Sequence, residues 1–252
     1  MKRFAPAVLI AAVALAACGE GVVEREDKTE LETATTDGEA EALARALEAG
    51  DFADLQLGAK IVGPQGPEVK STLATAEGNF ADITSYVACP AGMDPCDPAT
   101  APAGTIYTYV HTVYPGEDND PTTGAGTGND SSDIEIAEAF KLLQPAHGFT
   151  GKVGYSKMEA LAAVGETADV VITCSGGSIV WTINAVDKSN TWEQAEPITF
   201  YWQSTLPPAG PADVYALVAN YTEARGTGPY PANAEGATNA CSAPSTAGST
   251  GG

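Results

Sequence analysis

The chain has 252 residues and carries 12 lysines and arginines against 33 aspartates and glutamates, giving a formal net charge of −21. This excess of negative charge argues against a nucleic-acid partner, because binding to a phosphate backbone needs clustered basic side chains. It also argues against electrostatic adhesion to anionic lipid. The length accommodates one domain with flanking tails.

Residues 1–17 have the features of a targeting segment. Lys2 and Arg3 precede an uncharged, mostly apolar run that ends at Ala17. The run is shorter than the roughly 20 residues that a membrane-spanning helix needs. A basic start followed by a short apolar run is typical of a cleaved export signal, so we leave this segment out of the fold.

The end of the apolar run, Leu15-Ala16-Ala17-Cys18, resembles the lipobox of bacterial lipoprotein precursors. The resemblance covers only residues 1–18. It implies that lipid is attached to the Cys18 sulfur, that the signal peptide is cleaved before Cys18, and that the new amine is acylated. Two or more acyl chains anchor a protein stably to a membrane. Gly19, in place of the aspartate that favours inner-membrane retention in such families, implies an exported protein in the outer membrane of the cell envelope. An ordinary signal peptide with a chance cysteine is the alternative.

Four cysteines remain in the mature chain, and an even count in an exported protein favours disulfides. Cys89 and Cys96 share a short loop, so we predict that they pair, and Cys174–Cys241 then follows by elimination. The count alone allows two other pairings. A zinc site is the alternative, but the tight C-x-x-C spacing and nearby histidines of such sites are missing.

Residues 18–52 are predicted to hold the lipidated cysteine, an acidic tether and a short helix. The helix is expected over residues 37–50, because Thr36 and Glu39 have capping-box spacing and Gly50 suits a C-terminal cap. Its apolar residues recur at helical spacing: Ala40, Leu43, Ala44 and Leu47.

Residues 53–228 are rich in β-branched and aromatic runs separated by glycine and proline, which predicts strands. We therefore expect a mainly β domain, a β-sandwich of about eight antiparallel strands with short helical insertions. The predicted strands cover residues 59–62, 69–76, 80–88, 105–114, 168–174, 178–186, 197–206 and 213–221.

Two helical insertions are expected within this domain, each from capping-box spacing. Ser156 and Glu159 begin one helix, which Gly165 ends, and Ser132 and Glu135 begin another. The alternation around residues 134–136 also fits a strand. Residues 229–252 are rich in alanine, glycine, serine and threonine, which predicts a disordered tail that contains one cysteine.

An acidic loop is the first candidate binding site. Calcium takes six to eight oxygen ligands, and the loop offers these carboxylates: Glu117, Asp118, Asp120, Asp130 and Asp133. The loop departs from the EF-hand pattern, because its glycines do not sit at the required offset. We therefore expect no cofactor, with Ca²⁺ as the alternative.

An aromatic row is the second candidate. Tyr107, Tyr109 and His111 alternate along one predicted strand and so share a face. Exposed aromatic rows stack on sugar rings or anchor protein partners, whereas buried rows pack the core. The first interpretation predicts a glycan or protein ligand.

Catalytic motifs are missing from the sequence: there is no G-x-S-x-G elbow and no H-E-x-x-H zinc helix. We therefore expect a non-enzymatic, lipid-anchored protein with a binding or structural β-sandwich domain. A secreted hydrolase that uses a carboxylate pair is the alternative.

The lipobox leads to a direct prediction. The mature protein should partition with membranes, and Cys18→Ser should leave it unprocessed or soluble, because the sulfur that carries the lipid is lost. Labelled-palmitate incorporation and membrane fractionation measure this effect. Incorporation that persists in Cys18→Ser would contradict the assignment.

Overall fold

The computed structural model describes residues 45–63, 68–76, 78–116, 134–166, 168–185, 190–193, 195–234 and 236–242. Residues 1–44, which include the predicted signal segment and Cys18, and residues 243–252 lie outside them. All described residues belong to one compact unit, Ala40–Gly252. Among the described residues, no helix is both long enough and apolar enough to cross a lipid bilayer.

Strands dominate the described ranges, which confirms the prediction of a mainly β fold. The strands are β1 Arg45–Leu47, β2 Ala49–Asp51, β3 Leu57–Lys60, β4 Val69–Thr75, β5 Gly78–Pro90, β6 Tyr107–Pro115, β7 Ala137–Leu142, β8 Phe149–Tyr155, β9 Ala168–Ser175, β10 Ser178–Ala185, β11 Ile198–Ser204, β12 Pro208–Ala219 and β13 Thr222–Pro231. One α-helix, α1, spans Lys157–Val164, and a 3₁₀ turn spans Phe52–Asp54.

The strands form one sheet that folds over on itself. From edge to edge their order is β1-β9-β10-β7-β12-β13-β4-β5-β6-β11-β8-β2, with β3 paired to β5 beside this path. Phe140 of β7 stacks on Phe200 of β11 with ring centroids 5.1 Å apart, although five strands lie between them in the sheet order. They therefore meet across the interior, and the two halves of the sheet face each other as in a sandwich.

The interior is filled by aromatic side chains from both halves. All three tryptophans of the chain are buried. The Trp181 indole N–H of β10 donates to the Gly154 carbonyl of β8 at 3.1 Å, which satisfies its polar atom inside an apolar core. This bond links the first half of the sheet to the second.

Residues Arg45–Asp51, which we call the edge segment, cover both edges of the sheet. Its first half, β1, pairs antiparallel with β9, and its second half, β2, pairs parallel with β8. Only Glu48 separates the two strands. Because unpaired edges promote aggregation, this segment protects two edges at once.

The predicted helix over residues 37–50 is wrong where the structure describes it, since residues 45–47 and 49–50 are in strands. An isolated short helix is marginally stable, whereas β8 and β9 offer free backbone partners. Gly50 is therefore not a helix cap. It lies opposite Gly154 in the ladder, and a Cβ there would collide with the Tyr201 hydroxyl.

The C-terminal residues 236–242 pack against the same edge of the sheet, so the prediction of a tail that is disordered apart from Cys241 is wrong for this part. Cys241 is bonded to Cys174 of β9, and the Ala240 N–H donates to the Phe149 carbonyl of β8 at 3.1 Å. Arg45 of the edge segment also donates to the Ala240 carbonyl. The fold thus extends beyond the expected limits of 53 and 228 at both ends.

Both predicted disulfides are confirmed, Cys89–Cys96 and Cys174–Cys241. The first closes a loop at the end of β5. The second joins segments 67 residues apart in the chain, and a loop of that length restricts the unfolded chain strongly.

One predicted helix is confirmed and the other is wrong. The Ser156 hydroxyl accepts from the Glu159 N–H at 3.3 Å at the start of α1, while the Glu159 carboxylate accepts from the Thr199 N–H of β11 at 2.6 Å. The helix expected after Ser132 is instead strand β7, which pairs with β10 and β12. Helix propensity is a weak preference that two flanking ladders override.

The sequence pattern does not predict strands β8 and β13, because both are rich in glycine. A Cβ at Gly226 would lie 2.7 Å from the Leu73 side chain, and one at Gly228 would lie 2.7 Å from the Tyr215 ring. Glycine in a strand marks such close approaches, and the approaching residues come from β4 and β12.

The edge segment leads to a stability prediction. A protein truncated to begin at residue 53 should lose about 3–5 kcal/mol of unfolding free energy relative to one that begins at residue 40, because several backbone hydrogen bonds of about 0.5–1.5 kcal/mol each disappear. It should also self-associate through the exposed edges. Urea denaturation and gel filtration measure both effects, and equal urea midpoints with monomeric elution would contradict the prediction.

Candidate functional site

A cavity of about 500 Å³ opens at the ends of β7 and β10, beside the hairpin that joins β12 to β13. Its volume falls in the range of about 300–1,000 Å³ that is usual for small-ligand sites. Apolar side chains and a few polar groups line it together, as in typical ligand sites. The apolar part includes Ile136, Ile183 and Trp192, the polar part is Glu138, Asn184 and Thr191, and Tyr221 completes the lining. We call this site the tyrosine cavity.

The hairpin turn beside the cavity consists of Asn220 and Tyr221, between the paired residues Ala219 and Thr222. Both turn residues have positive φ, 47° and 61°. Two positive φ values are typical of the type I′ turn, whose twist matches that of the flanking strands. Asparagine tolerates this conformation, but the second position is usually glycine.

Tyr221 is therefore an unusual residue at this position. A side chain held in the left-handed region costs on the order of 1–3 kcal/mol. Its side chain is nevertheless 85% exposed, so no burial of apolar surface offsets that cost. A strained, exposed aromatic residue beside a cavity points to a contact with a ligand.

Asn220 fixes the turn against the cavity wall. Its side-chain oxygen accepts from the Glu135 and Ile136 N–H groups at 3.1 and 3.3 Å, and its own N–H donates to the Ile136 carbonyl at 2.8 Å. These three bonds hold the turn, and with it the Tyr221 backbone, in one place. A ligand contact at Tyr221 would thus be preorganised.

The opposite wall is anchored through Trp192. The Ala137 N–H donates to the Trp192 carbonyl at 2.7 Å, and the indole N–H donates to the Glu196 carbonyl at 2.6 Å. The ring meets Phe200 edge-on at 5.8 Å between centroids, so the wall is continuous with the core. Thr191 donates to the Glu135 carbonyl at 3.1 Å, which ties this wall to the residues just before β7 that Asn220 holds.

The predicted aromatic row does not form an exposed platform. Tyr107, Tyr109 and His111 are all buried, and Tyr109 stacks on Trp202 with ring centroids 4.5 Å apart. The Tyr109 hydroxyl donates to the Leu206 carbonyl at 2.9 Å. The row faces the sandwich interior, because the second half of the sheet folds over it, so these residues cannot contact an external ligand.

Among the residues that the structure describes, His111 makes the only hydrogen bond between a histidine and a serine side chain. Its Nδ1 lies 2.9 Å from the Ser85 hydroxyl oxygen, and Nε2 has no hydrogen-bond partner in the described part of the chain. Both residues are 0% exposed, so no substrate can reach them. Burial lowers the pKa of His111 to about 3, which keeps the ring neutral.

The predicted calcium loop, with Glu117, Asp118, Asp120, Asp130 and Asp133, lies outside the described residues. Its neighbours in the chain, Gly116 and Ile134, are described. Within the described ranges, no group of three or more His, Cys, Asp or Glu side chains is placed to hold a metal ion.

The sequence pattern does not reveal the tyrosine cavity, because it places Tyr221 at the end of a strand. The one local signal for the turn was Asn220, because asparagine favours turns with positive φ. No pattern indicated that Trp192 or Ile136 would lie beside that turn.

No family model, curated protein or solved structure matches this chain. Its function is therefore inferred from the geometry of the described residues.

Buried His111 predicts a specific pH dependence of stability. The unfolded chain takes up a proton at this residue below about pH 6.5, whereas the folded protein does so only near pH 3. The unfolding free energy should therefore fall by up to about 1.4 kcal/mol per pH unit as pH drops below 6.5. His111→Gln should remove this part of the slope.

Urea denaturation between pH 6.5 and 4.5 measures the slope. The matched control is His147→Gln, which replaces the other histidine of the chain, and the comparison cancels the contribution of the carboxylates. Identical slopes for wild type and His111→Gln would contradict the prediction.

Proposed function

We propose that the mature chain is a non-enzymatic, lipid-anchored protein of the cell envelope that binds a neutral glycan at the tyrosine cavity. The anchor rests on the lipobox at residues 15–18. Export is supported by the two disulfides, since such bonds persist in oxidising compartments. The lipid on Cys18 supplies the membrane affinity that the acidic chain itself lacks.

Tyr221 is the observation that carries the binding proposal. The chain keeps an exposed aromatic ring where glycine would fit without strain, next to a cavity of ligand size. Selection for stability alone favours Asn-Gly at this turn. The tyrosine therefore serves a purpose other than folding, and a stacking contact with a ligand ring is the one that its position suits.

A glycan fits the remaining groups of the cavity. The apolar face of a sugar ring stacks on an aromatic side chain, while its hydroxyls hydrogen-bond to groups such as Asn184, Thr191 and Glu138, which line the cavity. The Glu138 carboxylate and the net charge of −21 disfavour acidic sugars by repulsion. The ligand class is therefore neutral.

The alternative function, glycoside hydrolysis, needs two carboxylates that flank the scissile bond. Glu138 is the only carboxylate among the described residues that line the cavity. The described geometry therefore favours binding over hydrolysis at this site.

Tyr221→Gly should separate stability from binding. The unfolding free energy should rise by about 1 kcal/mol, because glycine relieves the strain of the left-handed conformation. Binding to a printed array of neutral and acidic polysaccharides should fall to background, because the stacking ring is gone. Urea denaturation and the array measure the two effects.

The matched control is Met158→Ala, which removes another exposed apolar side chain, from α1, and it should leave array binding unchanged. Unchanged binding in Tyr221→Gly, no binding to any neutral glycan, or binding to acidic glycans alone would each contradict the proposal.

A further inference from the structure

A second concave site lies where the edge segment meets β8. It is a groove of about 270 Å³ lined by the carboxylates of Glu48, Asp51 and Asp54 and by Tyr201. We call it the acidic groove. It shares no lining residue with the tyrosine cavity, so ligand binding here is independent of the proposed function.

Two glycines make room for the Tyr201 side chain beside this groove. Tyr201, Gly154 and Gly50 lie side by side across β11, β8 and β2. A Cβ on Gly154 would lie 2.7 Å from the tyrosine ring, and a Cβ on Gly50 would collide with its hydroxyl oxygen. The ring therefore lies in a trough that only glycine allows, and its hydroxyl reaches the groove beside Gly50.

The Tyr201 hydroxyl is available to a ligand. The side chain is only 4% exposed, yet its hydroxyl makes no hydrogen bond to the parts of the chain that the structure describes. Burial and the nearby Asp51 and Asp54 carboxylates raise the pKa of this hydroxyl, so it stays protonated. The hydroxyl opens into the groove and is not one of the buried side-chain atoms that lack a partner, so solvent reaches it and a ligand group can replace that solvent as its hydrogen-bond partner.

The Asp51 carboxylate is fixed in place by the fold. Its Oδ1 accepts from the Ala53 N–H at 3.1 Å and from the Lys157 N–H, at the start of α1, at 3.3 Å. The 3₁₀ turn that follows carries Asp54, and Glu48 sits between β1 and β2. Lys152 is the only basic side chain in the described lining. The groove therefore contains three carboxylates and one lysine, and this excess of negative charge attracts cations.

The spacing of the three groove carboxylates favours an extended organic cation over a metal ion. No three acidic side chains within the described ranges converge on a point where a metal ion would sit. Charges spread along a groove suit a ligand whose positive charges are also spread along a chain. Leu55 and Val153 also line the groove, so apolar surface is available to methylene groups.

We propose that the acidic groove binds an aliphatic diamine, with one ammonium group hydrogen-bonded to the Tyr201 hydroxyl and the second paired with a groove carboxylate. The ammonium donates and the tyrosine oxygen accepts. The methylene chain packs on Leu55. The groove is smaller than the usual drug-sized site of about 300–1,000 Å³, which limits the ligand to a short chain.

Isothermal titration of the disulfide-bonded protein with 1,4-diaminobutane tests this. Binding should be saturable at one site, and 1-aminobutane, which has one charge, should bind at least about tenfold more weakly. Tyr201→Phe removes only the hydroxyl and should raise the Kd about tenfold, since a hydrogen bond to a charged group is lost. Asp54→Asn, at an exposed position, should do the same without affecting the fold.

Tyr107→Phe is the matched control, because Tyr107 is as buried as Tyr201 but lies outside the groove; it should leave the Kd unchanged. General attraction of cations to a chain of charge −21 would persist in Tyr201→Phe, which keeps every charge. An unchanged Kd in Tyr201→Phe, equal affinities for the two amines, or no saturable binding would each overturn the proposal.

Discussion

Seven residues of extended backbone, Arg45–Asp51, bridge the two ends of the strand order, and most of the architecture depends on that bridge. The first half of the segment satisfies the free edge of β9, and the second half satisfies that of β8. Since an open edge is a template for pairing with other chains, the bridge covers the two strands through which such pairing would otherwise occur. The Cys174–Cys241 bond and the Ala240 hydrogen bond to β8 reinforce it from outside.

The aromatic interior is closed to external ligands, because the two halves of the sheet cover it. Tyr109, His111 and Trp202 carry polar atoms that would bind or catalyse at a surface, but the facing half of the sheet excludes solvent from them. In that environment the cost of charging His111 keeps the ring neutral. The polar atoms of the interior are therefore closed to solvent, whereas the tyrosine cavity and the acidic groove lie at the ends and edges of the sheet.

The tyrosine cavity and the acidic groove each contain a tyrosine, and the two tyrosines differ in how much of the side chain is exposed. Tyr221 is exposed by a turn whose backbone is strained, and Asn220 holds that turn with three hydrogen bonds. Tyr201 is buried in a trough made by two glycines, and only its hydroxyl reaches the groove. One arrangement offers a ring face, which suits stacking on a sugar. The other offers a single polar atom beside carboxylates, which suits a cation.

The sequence by itself determined the features whose signal is local. The strand periodicity, the capping box of α1 and the short spacing of Cys89 and Cys96 all report on neighbouring residues, and the structure confirms the mainly β fold, that helix and both disulfides. Tertiary structure determined the extended conformation of the remaining segments, which are the edge segment, β7, β8 and β13. Their own residues favour helix or turn, and only pairing with strands distant in the chain makes them extended. The tyrosine cavity and the acidic groove depend on such pairings too, because each brings together side chains from segments more than 80 residues apart, and no local pattern encodes that proximity.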